Sequence, residues 1–134
     1  MDTADNKRVL EQIYVGISSG NLEPLLAHLA DDVVWTIIGS TPLSGTFRGK
    51  QDVIEHLLRP LGAALDGHVR FTFDRFIAEG EYVVMLARGH GTAKSGRPYN
   101  NTYCIVCRFV DGKVREITDY VDTELITSAL FGQR

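Results

Sequence analysis

Cysteine is scarce in this chain. Cys104 and Cys107 are the only two. They stand three apart in a strand-like run, so they point to opposite faces and are poorly placed to pair with each other. No histidine lies at zinc-site spacing from them, so they read as core residues and neither a metal nor a cofactor is expected. A basic stripe is also missing. Lys and Arg total 14 against 17 Asp and Glu, the net charge is −3, and both signs are scattered, a pattern that excludes a nucleic-acid footprint. No apolar run approaches the roughly 20 residues that span a bilayer. The start, Met-Asp-Thr-Ala-Asp-Asn-Lys-Arg, has no apolar signal core. The expectation is a cytoplasmic protein with no membrane partner. Gly45-Thr-Phe-Arg-Gly49 lacks the Lys-Ser/Thr ending of a phosphate loop. Ser40 and Ser44 lack a nucleophile elbow. Repeats, linkers and low-complexity tracts are absent.

What is present is 134 residues, 44% of them apolar, enough for one domain, 1–134, with a real core. Val9, Leu10, Ile13, Tyr14 and Ile17 make a helical stripe within residues 5–19. Gly20 can stop that helix, Asn21 can cap the next, and Pro24 fits its first turn. Asp31-Asp32 breaks the pattern, and Val33–Ile38 reads as a strand. Residues 39–49 read as a long loop. Residues 50–65 form a third amphipathic helix, with a kink or break expected near Arg59 because Pro60 lacks an N–H. From Val69 the period becomes two, with a phase slip at Phe76-Ile77 that predicts a bulge. Gly80-Glu81 and residues 94–97 are turns, and residues 124–131 form a short terminal helix. His28, His56 and His68 read as surface or capping groups. Asp31, Asp32 and Asp122 read as helix-end, turn or arginine-pairing groups. Helices segregated from consecutive antiparallel strands give an α+β fold.

The most informative stretch is Tyr99–Thr123, two strands joined by an Asp111-Gly112 turn. Alternation puts Asn101, Tyr103, Ile105 and Cys107 on one side of the first strand. Arg115, Ile117, Asp119 and Val121 share one side of the second. If odd positions face inward, the interior receives Asn101, Tyr103 and Asp119, which need a hydrogen-bonded network or a wet pocket. In Ala87–Ala93, Arg88, His90 and Thr92 share one face, and Ala87, Gly89, Gly91 and Ala93 share the other. The polar face either meets solvent or enters a cavity, where Arg88 and His90 would stand near Asp119. A carboxyl at position 119 is desolvated unless a cation holds it charged. It is then either half of a buried ion pair or an acid–base group.

Asn21–Trp35, Pro42-Leu-Ser-Gly45 with Gly49, Asp111-Gly-Lys-Val114 and Asp119-Tyr-Val-Asp-Thr123 together resemble the ketosteroid isomerase-like and SnoaL-like proteins of the nuclear transport factor 2-like superfamily. The resemblance implies a cone-shaped, strongly curved, mostly antiparallel sheet wrapped around three helices, a deep pocket, and a homodimer. Steroid isomerases keep their general base where this chain has Ile37, and their oxyanion-hole acid near Ile105. Against the epoxide hydrolases of this superfamily, Asp119 and Arg88 match a carboxylate and the arginine. His90, Trp35 and Ile37 replace the second carboxylate, the Tyr and the Asn. SnoaL-like cyclases use an Asp with His and Asn, a set that His90, Asn101 and Asp119 could form. The resemblance therefore implies cofactor-independent acid–base chemistry on an apolar cyclic or polyketide-like molecule. In that reading Asp119, His90 and Arg88 are catalytic, Asn101 and Tyr103 hold a substrate oxygen, and Trp35, Ile37, Leu57, Leu61, Phe73 and Val121 form the wall. The alternatives are a non-catalytic ligand-binding or dimerisation module and an epoxide hydrolase-like enzyme.

Overall fold

A computed structural model describes residues 2–132. Helix α1 spans Thr3–Ser18 and is capped by the Asp2 carboxylate, which accepts from the Asp5 N–H. Gly20 follows at φ 79°, the left-handed conformation that lets the chain turn back at once. The Asn21 carboxamide receives the N–H of Glu23, and α2 runs over Glu23–His28 with Pro24 in its first turn. The third helix, α3, covers residues 50–64. Its centre, Val53–Leu58, is π-helical, and Arg59–Ala64 returns to α geometry. The chain is thus continuous through Pro60 instead of breaking. The widened turn before the proline accommodates the missing donor. A terminal helix, α4, begins at Thr123–Leu125 under an Asp122 cap and ends as a π turn over Ile126–Leu130.

Among the described residues, seven strands form the sheet: β1 Leu29–Ile37, β2 Gly45–Arg48, β3 Arg70–Glu79, β4 Tyr82–Thr92, β5 Pro98–Tyr99, β6 Thr102–Val110 and β7 Lys113–Val121. Their order is β2-β1-β7-β6-β4-β3, with β5 paired to β4. Every pair is antiparallel except β1 with β7. The sheet curls around the helices, and one core runs through its concave face. One short strand, and the early start of another, were not anticipated. β2 lies inside the expected loop, bonded to β1 from Val34↔Arg48 to Ile37↔Gly45. β1 itself starts at Leu29, so Asp31 and Asp32 fall within an irregular stretch of strand. Local composition hid both features, because β2 is held by its pairing with β1 and the start of β1 by the pairing of Leu29 with Val114 of β7.

Two bulges set which residues face inward. One lies between Phe73 and Arg75, a little ahead of the predicted slip. The other inserts Arg115 opposite Arg108/Phe109. Arg115 is therefore turned out to solvent, where it meets Asp32 at 2.6 Å, rather than sharing the inner face with Ile117 and Asp119. The hairpin turn is as expected. Asp111 and Gly112 both have positive φ, 52° and 76°, the geometry whose twist matches a β-hairpin. Cys107 is buried, Cys104 is half-buried, and both are free thiols. Among the described residues, no helix is long and apolar enough to cross a membrane.

Candidate active site

The concave face of the sheet and helices α1 to α4 enclose a cavity of about 370 Å³. Its exposed lining residues, Gly20, Leu22, Gly62, Gly67 and His68, mark the mouth. Its floor is the sheet. There Asp119 of β7 pairs with Ile37 on one side and Ile105 on the other. The two strand positions where steroid isomerases carry their acids thus flank this carboxyl as aliphatic walls. In this chain the acid stands on the strand between them.

Asp119 is 9% exposed. Burial pushes its carboxyl up to about 7, opposed by a hydrogen bond from Trp35, whose Nε1–H donates to Oδ1 at 3.3 Å. Trp35 precedes Ile37 by two positions on β1, so alternation aims it at the same floor. Three tyrosines line the same cavity as the carboxyl: Tyr14 from α1, Tyr99 from β5 and Tyr103 from β6. Burial, with a smaller contribution from the Asp119 charge, raises all three above the ordinary tyrosine value. They are therefore neutral hydroxyls at physiological pH, able to donate. The Tyr14 ring stands edge-on to Phe71, and Phe71 tilts against Tyr103, each at a centroid distance of 5.0 Å.

Of the expected wall, Trp35, Ile37, Leu57, Leu61 and Val121 line the cavity, as do Tyr103 and Asp119. Phe73 does not. It packs on Phe76, ring centroids 5.4 Å apart, while Phe71, two residues earlier on the same face of β3, lines the cavity. Asn101 also lies outside the cavity, although it is buried at 1% exposure. Its Oδ1 accepts from the N–H groups of Thr102 and Asp122, and its Nδ2 donates to the Asp122 carbonyl and to the Tyr99 hydroxyl. Its bonding capacity is consumed in clamping the end of β7 to β6.

Arg88 and His90 require the largest correction. Both are exposed on the outer face of β4. Arg88 makes a two-bond pair with Asp74, at 2.8 and 3.2 Å, and His90 stands 3.5 Å from the Thr72 hydroxyl. Neither approaches Asp119. The small face turns inward because the interior has no room there. A Cβ on Gly89 would come within 2.7 Å of Tyr103 Cε1 and 2.8 Å of Val69 Cγ1. The expected Asp–His–Asn set and the Asp–Arg pair of an epoxide hydrolase are therefore not assembled. Accordingly, Arg88→Ala and His90→Ala are expected to leave the thermal midpoint and the affinity for cavity ligands nearly unchanged, each within about 0.5 kcal/mol. A titration calorimeter and a melting curve check this. Loss of ligand binding in either variant would place these residues back in the site.

Tyr14, Tyr99 and Phe71 were not singled out in the sequence. Tyr14 had a signal, a hydroxyl on an otherwise aliphatic helical stripe with Leu10, Ile13 and Ile17. Tyr99 shares the odd phase of Asn101 and Tyr103. Among the described residues, no three His, Cys, Asp or Glu side chains stand together as a metal site.

Comparison with known proteins agrees with this geometry. No curated protein matches the chain in sequence. An NTF2-like protein of unknown function from Burkholderia pseudomallei K96243 superposes with a TM-score of 0.85 at 28% identity, covering 97% of this chain and 98% of that one. An NTF2-like protein from Burkholderia xenovorans LB400 gives 0.76 at 27% identity, with 97% and 98% covered. TerC, co-crystallised with polyporic acid, gives 0.83 at 24% identity, covering 95% and 98%. Residues 10–117 match the SnoaL-like domain. A curled sheet around four helices with an enclosed cavity, and a sequence that matches across most of its length, place this chain in the SnoaL-like family of the NTF2-like superfamily.

Proposed function

We propose that the protein is a small-molecule enzyme that works by cofactor-independent general acid–base catalysis, with Asp119 as the group that moves the proton. The observation that carries this reading is a lone carboxyl, poised at about 7, on the floor of a mainly apolar cavity. A proton-transfer group is most effective when its pKa lies near the working pH. Burial is what raises it here, and among the described residues no Lys or Arg lines the cavity, His68 standing at its mouth. The substrate class that fits is an apolar cyclic or polyketide-like molecule with one acidic C–H beside a carbonyl. The aliphatic wall takes its carbon skeleton. Asp119 removes the proton, the Trp35 N–H holds the carboxylate ready, and neutral tyrosine hydroxyls meet the oxygen on which charge develops.

Incubation with cyclic ketones and β-dicarbonyl compounds in deuterium oxide tests the reading directly. The wild type should exchange the acidic C–H for deuterium, followed by NMR, and Asp119→Asn should not. Equal exchange by both proteins would remove Asp119 from the chemistry and leave a ligand-binding module with the same fold. A second prediction concerns Trp35. Its N–H favours the ionised carboxylate, so Trp35→Phe should raise the pKa of Asp119. The rising limb of rate against pH should then move to higher pH, by up to about one unit for the loss of one hydrogen bond. A pH–rate profile of the two proteins decides it. A shift to lower pH would contradict the role given to the indole.

A further inference from the structure

The polar face of β4 serves no purpose in the cavity, yet at its far end it opens into a second hollow of about 360 Å³. Val69 and Tyr99 line the cavity, and the residue after each, Arg70 and Asn100, borders the hollow on the other side of the sheet. Arg70 of β3 stands opposite His90 of β4. On the other flank of β4, Gly91 pairs with Tyr99 and the Gly89 N–H donates to the Asn101 carbonyl at 2.8 Å, which brings Asn100 beside His90. Arg70, His90 and Asn100 thus form one row across the outer face, and Thr92 joins them in the lining. Acids outnumber bases in the chain, 17 to 14, but among the described residues no Asp or Glu lines the hollow. Asp74, further along β3, is held by both bonds from Arg88. The donors of the row are uncommitted. The Asn100 Oδ1 accepts the Gly91 N–H at 3.4 Å, which leaves its Nδ2 to donate elsewhere. His90 uses only Nε2, 3.5 Å from the Thr72 hydroxyl. Among the described residues, the Arg70 guanidinium, the His90 Nδ1, the Asn100 Nδ2 and the Thr92 hydroxyl have no partner within the protein.

We propose that this hollow is a binding site for a phosphate group, free or carried on a small polar molecule, on the opposite side of the sheet from the cavity. The guanidinium of Arg70 supplies the charge and a fork of N–H groups that fits two phosphate oxygens. A planar carboxylate would satisfy that fork and leave the other donors idle. Here the donors converge from different strands, Arg70 from β3, His90 and Thr92 from β4, and Asn100 from the end of β5, and a tetrahedral group has an oxygen for each. The amide and the hydroxyl add nothing to the charge. They add direction, which distinguishes a site from a positive surface. Their backbones are fixed by the ladder that joins these strands, so little main-chain ordering opposes binding. A phosphate fills only part of the hollow, and the remainder accommodates a compact polar group. The proposal is independent of the acid–base reading of Asp119, which lines the other pocket.

The imidazole of His90 reports on the site. Its ring C–H signals, assigned by their absence from the spectrum of His90→Ala, are followed by NMR at constant pH and constant ionic strength. The probes are sodium phosphate, glycerol 3-phosphate and sodium acetate, with sodium chloride as the balancing salt. Both phosphates should shift the His90 signals along a saturating curve, and acetate should bind more weakly. A tighter curve for glycerol 3-phosphate identifies a phosphorylated small molecule as the occupant; equal or tighter binding of inorganic phosphate identifies the free ion. Arg70→Gln should weaken phosphate about 10-fold or more, for the loss of charge-assisted hydrogen bonds, and Asn100→Ala about 3-fold, for a neutral one. Arg88→Gln removes a charge from the same face outside the hollow and should leave the curve unchanged. A linear response without saturation overturns the proposal, as does acetate binding as tightly as phosphate. An Arg88→Gln variant that loses as much affinity as Arg70→Gln also overturns it, because the effect would then be general surface charge. Arg70 is exposed, so its variant should fold and decides the matter if Asn100→Ala does not.

Discussion

Asp119→Asn is expected to lower turnover by about 10²–10⁴-fold, the usual contribution of a positioned proton-transfer group, and at the same time to make the protein more stable above neutral pH. The two effects have one cause. The carboxyl has an ordinary value of 3.8 and is pushed up to about 7 in the folded protein by burial. Below about pH 4 it is protonated in both states and costs nothing extra. Between about pH 4 and 7 the unfolded chain releases a proton that the folded protein keeps, so stability falls as pH rises through this window. Above about 7 the carboxylate is charged in the folded protein as well, and the full penalty is present. At ~1.4 kcal/mol per pKa unit the penalty is on the order of 4 kcal/mol. A buried Asn carries a smaller cost of its own, so a net gain of about 2–4 kcal/mol at pH 8 is expected. Denaturant melts of both proteins at pH 4, 6 and 8 test this. Parallel pH dependence in wild type and variant would mean that Asp119 does not titrate as described. The rate of the wild type should rise with pH around 7, as the base ionises.

Asn101→Leu should be among the most damaging single substitutions, at about 3 kcal/mol or more, with a fall of roughly 10 °C in the melting midpoint. The size of the side chain is nearly preserved, so packing is not the main loss. Leucine leaves the N–H and carbonyl of Asp122, the N–H of Thr102 and the hydroxyl of Tyr99 without their partner. Each buried group left unpaired costs about 1–3 kcal/mol, and some of these groups can still reach water. Asp122 also caps α4, so the damage should spread to the terminal helix that closes one side of the cavity. Hydrogen exchange would localise it: amides of residues 121–126 should lose protection before those of β3. A variant as stable as wild type would show that the clamp is redundant.

Several features were readable before any coordinates. The Asp111-Gly112 turn needs two positive φ angles, and few residue pairs supply them so readily. The turn sets the register of β6 against β7, and the register puts Tyr103, Ile105, Cys107, Ile117 and Asp119 on one face. A carboxyl in that row had to be buried, whichever way the rest of the sheet curled. The apolar stripes of α1 and α3 required something to cover them, and the helices-then-strands order left a curved sheet as the cover. Trp35 and Ile37 follow from the same alternation on β1.

Other features depended on the third dimension. β4 offers two chemically plausible faces, and strand periodicity cannot choose between them. The choice was made by Tyr103 and Val69, which occupy the space a side chain at Gly89 would need. That excluded Arg88 and His90 from the interior. A single inserted residue at Arg115 reversed the face of one charge, and the extent of the cavity along β3 reached Phe71 but not Phe73. Asn101 was correctly placed as buried, yet its use as a clamp became visible only once Asp122 and Tyr99 were seen around it. The sequence by itself determined that one acid would be desolvated on a sheet with a polar, tyrosine-bearing edge. The tertiary structure decided that this acid would stand between Ile37 and Ile105, in a cavity it shares with Tyr14, Tyr99 and Tyr103. Its pKa is set by the neighbours that exclude water, and those neighbours come from β1, β5, β6 and α1, segments far apart in the chain.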